Sequence, residues 1–376
     1  MNEELKEKLK FKIAISQMKE KEKMAMNKEK RKISKGIGIA ACLVVATTGI
    51  VFAKDIGNFF TNLFGGNASD GVQTAVDNRY VENAETQYIE AEGMEISVDS
   101  FLVDDYNFDM NFKVKIDDMH DINKIEDIQL YDLKVIDENN EVVFLTSEQE
   151  RIMYEESKKA GSPLEHPLFW GGYSMNAEKI DSNEIMIHLT ATGSEEHKIP
   201  KSKKLFVTVT KIANINHVFG NPEDILEKIF TGDWRFEIDV PEEMYNRETI
   251  IYKAKSCSDD KTKVENATLS NTAFKINLKT QTDKIDYEIL HTSKPKSIWD
   301  KIPLQKEYVE NSNGKRFETS QRSDGDGGCT IPSGETKIVD YHQTFNLTKF
   351  DATDELKVHI FTNKGEEIVI EYERSK

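Results

Sequence analysis

The eight histidines are the first side chains to weigh for metal or acid–base chemistry. They are followed by Asp, Pro, Leu, Lys, Val, Thr, Gln and Ile in turn, so none opens a His-Glu-x-x-His metal helix. No Gly-x-Ser-x-Gly elbow and no phosphate-cradling P-loop occurs in the sequence. Gly36-Ile-Gly38 begins a dinucleotide fingerprint but runs straight into an apolar stretch. Ser323-Asp-Gly-Asp-Gly-Gly328 resembles part of a calcium loop, yet lacks the third ligand position and the closing Glu, and reads as a flexible turn. Cys42 sits inside the apolar stretch as a small apolar residue. Cys257 and Cys329 fall in one expected domain, and a disulfide closing a loop of that length stabilises by about 4 kcal/mol where geometry allows. Carboxylates are too numerous for any pair to stand out as acid and base. The expectation is no enzyme, with no catalytic residue, no cofactor and no metal site.

The elements that would position any function are set by charge. Residues 1–35 carry twelve Lys/Arg against six Asp/Glu, a net of +6, so the rest sums to -23 within a whole-chain charge of -17. That acidity argues against direct nucleic-acid binding by the main body. The step falls across Gly36–Ala53, eighteen residues without a charge, bounded by Lys35 and Lys54. As a helix this run is about 27 Å long, near the ~30 Å of a hydrocarbon core. Its eight large apolar residues favour insertion by about 2–5 kcal/mol together. Lys28, Lys30, Arg31, Lys32 and Lys35 stand on one side of it and Lys54 on the other. By the positive-inside rule the expectation is a single-pass protein of the cell membrane, its N-terminus cytoplasmic and its C-terminal part extracellular. A buried core helix fits less well, because the run lacks a polar side. A cleaved signal peptide ending at Val51-Phe52-Ala53 would need a basic region of 35 residues. A lipoprotein reading at Cys42 leaves too short an apolar segment before the cysteine.

The expected organisation is 1–35 cytoplasmic basic arm, 36–53 transmembrane helix, 54–86 juxtamembrane helix and linker, 87–245 β-rich domain, and 246–376 β-sandwich-like domain. Phe59, Phe60, Leu63 and Phe64 share one helical face with Ile56 and suit a membrane interface, with packing on the ectodomain as the equal alternative. From Gln87 the period becomes two. Phe108–Ile116 alternates over nine residues, and Leu133–Val135 and Val142–Phe144 flank Asp137-Glu-Asn-Asn140 as a hairpin. Helices are expected near Ser147–Lys159 and after Asn221-Pro-Glu-Asp224. Arg247 begins a second strand series. The fold class is therefore a mainly β ectodomain, two antiparallel β-sandwich-like domains with a few helices, plus one N-terminal transmembrane α-helix.

In the arm, Leu5, Leu9 and Ile13 recur at helical spacing, and Phe11, Ile15 and Met18 widen the apolar side. Such a helix is marginal alone and orders on a partner's groove, on the inner leaflet, or not at all.

Several segments resemble the Gram-positive "domain of unknown function 4179" proteins: Phe52-Ala-Lys-Asp-Ile-Gly-Asn-Phe-Phe60, Ala75-Val-Asp-Asn-Arg-Tyr-Val81, Glu92-Gly-Met-Glu-Ile-Ser-Val98 and Val103-Asp-Asp105. Leu9-Lys-Phe-Lys-Ile-Ala-Ile-Ser16 also looks like their N-terminal segment, and the resemblance covers about residues 5–120. The family's usual Gly before the Tyr is Arg79 here. The resemblance implies an anti-sigma factor whose arm holds an extracytoplasmic-function sigma factor. Residues 1–35 contain neither His nor Cys, so the contact would be apolar and charged rather than zinc-built. The alternatives are a membrane-anchored surface protein binding an extracellular ligand or cell-wall component without a sigma partner, and a secreted β protein.

Overall fold

Alternation of apolar and polar residues gives a strand one greasy side and one polar side, and two stacked sheets are the simplest burial of the greasy sides. The computed structural model describes residues 64, 68–116, 125–161, 172–193, 198–216, 225–281, 307–320, 327–330, 338–361 and 366–375. The fold is mainly antiparallel β, and every strand pairing among the described residues is antiparallel.

After helix α1 (Asp70–Asp77) come β1 (Glu82–Asn83), β2 (Ile89–Ala91), β3 (Met94–Val103), β4 (Asn107–Ile116), β5 (Ile128–Asp137) and β6 (Val142–Leu145). Helix α2 (Ser147–Lys159) precedes β7 (Gly172–Lys179), β8 (Glu184–Thr192), β9 (Lys204–Asn216) and β10 (Ile225–Asp239). One sheet has the order β1-β3-β4-β8-β7 with β2 beside β3, and a second has β10-β9-β5-β6. Their inner faces meet in one core, where Phe101, Phe108, Phe112, Leu133, Val207 and Trp234 are all fully buried. Trp234 joins the two sheets by polarity as well: its indole N–H donates to the Met94 carbonyl at 3.4 Å. The ladder slips between Thr231 and Trp234, and Gly232 lies under the indole, where a Cβ would stand 2.4 Å from the ring. We call this half lobe 1.

A short helix α3 (Glu242–Tyr245) leads into lobe 2. Its strands are β11 (Ile250–Cys257), β12 (Lys263–Val264), β13 (Ala267–Leu269), β14 (Phe274–Gln281) and β15 (Tyr308–Asn311). They continue with β16 (Arg316–Glu318), β17 (Gly327–Thr330), β18 (Ile338–Phe345), β19 (Glu355–Phe361) and β20 (Glu367–Arg374). The order is β16-β15-β19-β20-β11-β13-β14-β18-β17, with β12 on β14. Just past β16, Thr319 bridges Phe345 of β18, so the sheet closes on itself. Inside, Phe274 meets Tyr252 and Tyr372 edge-on at 5.8 and 6.0 Å.

Both lobes belong to one compact unit of Gly57–Leu145 and Phe169–Lys376. Helix α2 belongs to the other unit and is stabilised within itself: Glu148 and Glu150 lie in its first turn, Lys158 and Lys159 in its last, and Arg151 pairs with Glu148 at 2.8 Å.

Two expectations need correction. The segment from Ile225 is not a helix begun at Asn221 but the start of β10, because Ile225, Leu226 and Phe230 gain a ladder against Asn216, Ile215 and Ile212 of β9. Tertiary pairing overrides the Asn-Pro start signal. Cys257 is a free thiol, and β13, β14 and β18 intervene in sheet order before the strand that carries Cys329.

Arg79 occupies a left-handed conformation, φ 66°, just beyond the α1 cap at Asn78. The Arg79 N–H donates to the Val76 carbonyl and the Tyr80 N–H to the Ala75 carbonyl, at 2.8 and 2.9 Å. This is the Schellman arrangement, which favours glycine at that position. Arg79→Gly is therefore expected to raise the unfolding free energy by about 1 kcal/mol, read as a higher urea midpoint at unchanged slope.

Candidate functional site

The densest polar constellation among the described residues lies where the two lobes touch. The β3–β4 hairpin turns through Asp104, Asp105 and Tyr106, the segment that also carries part of the family resemblance. Asp104 is fully buried. One of its oxygens, Oδ1, accepts the N–H groups of Tyr106 and Asn107 at 2.7 and 2.8 Å, the local turn that Asp favours. The other, Oδ2, leaves lobe 1 altogether. It accepts the Ser270 hydroxyl at 2.7 Å, the Thr272 N–H at 3.0 Å and the Thr272 hydroxyl. Asn107 donates its amide to the Thr272 Oγ1 at 2.6 Å, and Tyr106 shares a hydrogen bond with Thr268 at 2.7 Å. A dry carboxylate survives only when its lone pairs are used, and here both lobes are needed to use them.

Asp105 points to the segment joining the lobes. Its Oδ1 takes the Arg247 Nε–H at 2.9 Å, with both side chains buried, and its Oδ2 accepts the Thr249 hydroxyl. The remaining guanidinium donors reach the Met244 carbonyl at 2.6 Å and the Ile199 carbonyl at 2.7 Å. Arg suits this task because its planar fork serves several acceptors at once. Lys275 of lobe 2 places its ammonium 4.0 Å from the Tyr106 ring centroid. Lys349 lies 5.6 Å over the Tyr80 ring, and burial pushes its pKa below the usual lysine range while Asp104, Glu248 and Glu243 act the other way. Burial, with the charge of Asp104 adding to it, drives the Tyr80 phenol far above its ordinary range, and its hydroxyl donates to the Val103 carbonyl at 2.8 Å.

Chemically this junction binds and positions. The Ser270 and Thr272 hydroxyls are spent on the buried Asp104 carboxylate, and among the described residues no group of three metal-type side chains could hold an ion. A second polar network runs across one lobe 1 sheet: Asn111 donates to Ser100 at 2.9 Å and its carbonyl meets His188 Nδ1 at 2.8 Å, with Glu178 3.2 Å from His188 Nε2.

Among the described residues, lobe 2 holds a carboxyl pushed to a physiological range. Burial raises Glu307 from its ordinary 4.5 to about 7, against hydrogen bonds from the Tyr341 hydroxyl and the Phe361 N–H.

Of the residues singled out in sequence, the arm (Leu5, Leu9, Phe11, Ile13, Ile15, Met18), Lys28, Lys30, Arg31, Lys32, Lys35, Lys54, Phe59, Phe60 and Leu63 lie outside the described residues, as does the whole apolar run. Among the described residues no helix is long and apolar enough to cross a membrane. Phe64 is 1% exposed in the lobe 1 core, which leaves it no face for a membrane interface. Sequence reasoning missed Arg247, Thr249, Ser270 and Thr272 as partners of Asp104 and Asp105, since nothing local marks contacts so far apart along the chain.

No family model matches the chain, and no curated protein matches it. It is similar to one solved structure, described as a conserved domain protein from Bacillus anthracis, at 10% identity and a TM-score of 0.38, over 79% of this chain and 92% of that one. A likeness of that degree carries no argument.

The Glu307 carboxyl fixes a pH dependence. Its folded pKa lies above its unfolded one, so its stabilising contribution is complete below about pH 4.5 and is lost as pH rises through about 7. Glu307→Gln should flatten that loss and raise stability above pH 7 by up to about 3 kcal/mol, measured by urea unfolding across the range.

Proposed function

We propose that this protein is a single-pass membrane signalling protein, an anti-sigma factor of the "domain of unknown function 4179" kind, with an extracellular β-rich sensor. The observation that carries this reading is the charge step: eighteen uncharged residues separate an arm of +6 from a remainder of -23. A basic flank holds its side of a span in the cytoplasm, and an acidic, well-solvated remainder suits the outside. The described part of that remainder is mainly antiparallel sheet, which suits a β-rich sensor.

Under this reading the arm lays Leu5, Leu9 and Ile13 into an apolar groove of a sigma factor, while its lysines meet acidic groups around the rim. Lipid is the second partner, through Lys28–Lys35 and Lys54. The ectodomain meets an extracellular ligand or cell-wall component, and nothing in the reading calls for a cofactor or for nucleic acid.

A pull-down from the producing cell with residues 1–35 as bait should recover a sigma factor. Leu9→Asp combined with Ile13→Asp should lower that capture at least about ten-fold, because apolar anchors dominate such interfaces. Deleting the arm should change sigma-dependent reporter transcription. Recovery of no sigma factor, with reporter output indifferent to the arm, removes the proposal in favour of a surface-anchored binding protein.

A further inference from the structure

We propose that helix α1 is the coupling element of the ectodomain: it is gripped by both lobes at once, so a change in how the lobes meet is passed to the chain that leads back to the apolar run. The grip is a matter of contacts within the described residues. Its consequence for signalling rests on the membrane reading above.

Lobe 1 holds the helix through its apolar side. Val72, Ala75 and Val76 are buried in the lobe 1 core, and the Tyr80 hydroxyl just beyond the helix anchors to the end of β3 at Val103. The Ser69 hydroxyl oxygen caps the start by accepting the Val72 N–H at 3.2 Å. Lobe 2 holds the same helix at its first turn. The Gly71 N–H donates to the Asn346 Oδ1 at 3.4 Å. Gly71 lies so close to the lobe 2 turn that a Cβ would stand 2.0 Å from the Thr272 carbonyl oxygen. Asn346 sits at the seam that closes the lobe 2 sheet, its N–H donating to the Glu318 carbonyl at 3.0 Å.

Thr272 is therefore shared. Its N–H and hydroxyl hold Asp104 of lobe 1, and its carbonyl abuts the backbone of α1. A rotation of lobe 2 that breaks the Asp104 bonds also withdraws the surface against which Gly71 is pressed. Packed contacts of this kind have discrete arrangements rather than a continuous range, as a two-state coupler requires. An external ligand shifts the balance only by as much as it prefers one arrangement. In sequence α1 is also the first described helix after the apolar run, preceded among the described residues by Phe64 in the lobe 1 core.

Hydrogen–deuterium exchange on the whole chain in lipid nanodiscs tests the coupling without reference to any sigma factor. Asp104→Asn weakens the lobe contact at Thr272, the residue that also abuts α1, and it should speed exchange at residues 73–77 by about ten-fold or more while β8 and β19 stay unchanged. Gly71→Ala, the smallest insertion at the contact, should speed exchange in residues 270–273 by a similar factor. Asn346→Ala serves in its place if that variant does not fold, and Asp77→Ala on the exposed side of α1 should change neither segment. Asp104→Asn loosening 270–273 with α1 unaffected would overturn the proposal, because α1 would then follow lobe 1 alone. Uncoupled exchange in a protein whose arm still captures a sigma factor defeats this inference only. Coupled exchange with no sigma capture supports it and defeats the functional reading.

Discussion

A carboxylate with no access to water, satisfied only when two halves of the molecule meet, is the constraint on which the rest of this structure turns. Asp104 takes two N–H groups from its own hairpin and three donors from the lobe 2 turn at Ser270 and Thr272. Parting the lobes without flooding the site would strand that charge, and stranding a buried charge costs about 3–5 kcal/mol. Asp105 and Arg247 repeat the principle one residue on, with the guanidinium reaching backbone carbonyls on two further segments. Buried ion pairs add little net stability compared with apolar packing, but they tolerate few geometries. The junction therefore fixes how the lobes meet more than how firmly each one folds.

Each lobe keeps its own apolar core, one spanning Phe64 to Met244 and the other Tyr252 to Tyr372, and the bond between them is polar. Polar contacts of this kind open in water at lower cost than a greasy interface, because the exposed groups regain hydration. That division lets each half hold its shape while their mutual contact changes.

Much of the strand pattern was legible because burial imposes a period of two. Phe108–Ile116 alternates and lies within β4, and Asp137–Asn140 turns β5 into β6 with Asn140 at φ 59°. Helix α2 was legible from its charges and its lack of strand alternation. Three kinds of information were not local. The segment after Asn221 carries a helix start signal, but Ile225–Phe230 belongs to a hairpin partner. Strand β18 is weakly marked in sequence, because Ile338, Asp340 and His342 share one face and mix apolar with polar residues. The bonds from Asp104 to Ser270 and Thr272 span 166 and 168 residues and leave no trace in either neighbourhood. Arg79 holds a left-handed backbone, φ 66°, that favours glycine, and the residue type itself gives no hint of it.

The central claim is that the Asp104 junction makes two cores behave as one folded unit. The direct measurement is urea unfolding with pulsed hydrogen exchange read separately in β4 and β19. The account predicts a single shared midpoint for the native sequence and two separated midpoints for Asp104→Ala. Two midpoints in the native sequence, or midpoints that stay together and unmoved in Asp104→Ala, would contradict it.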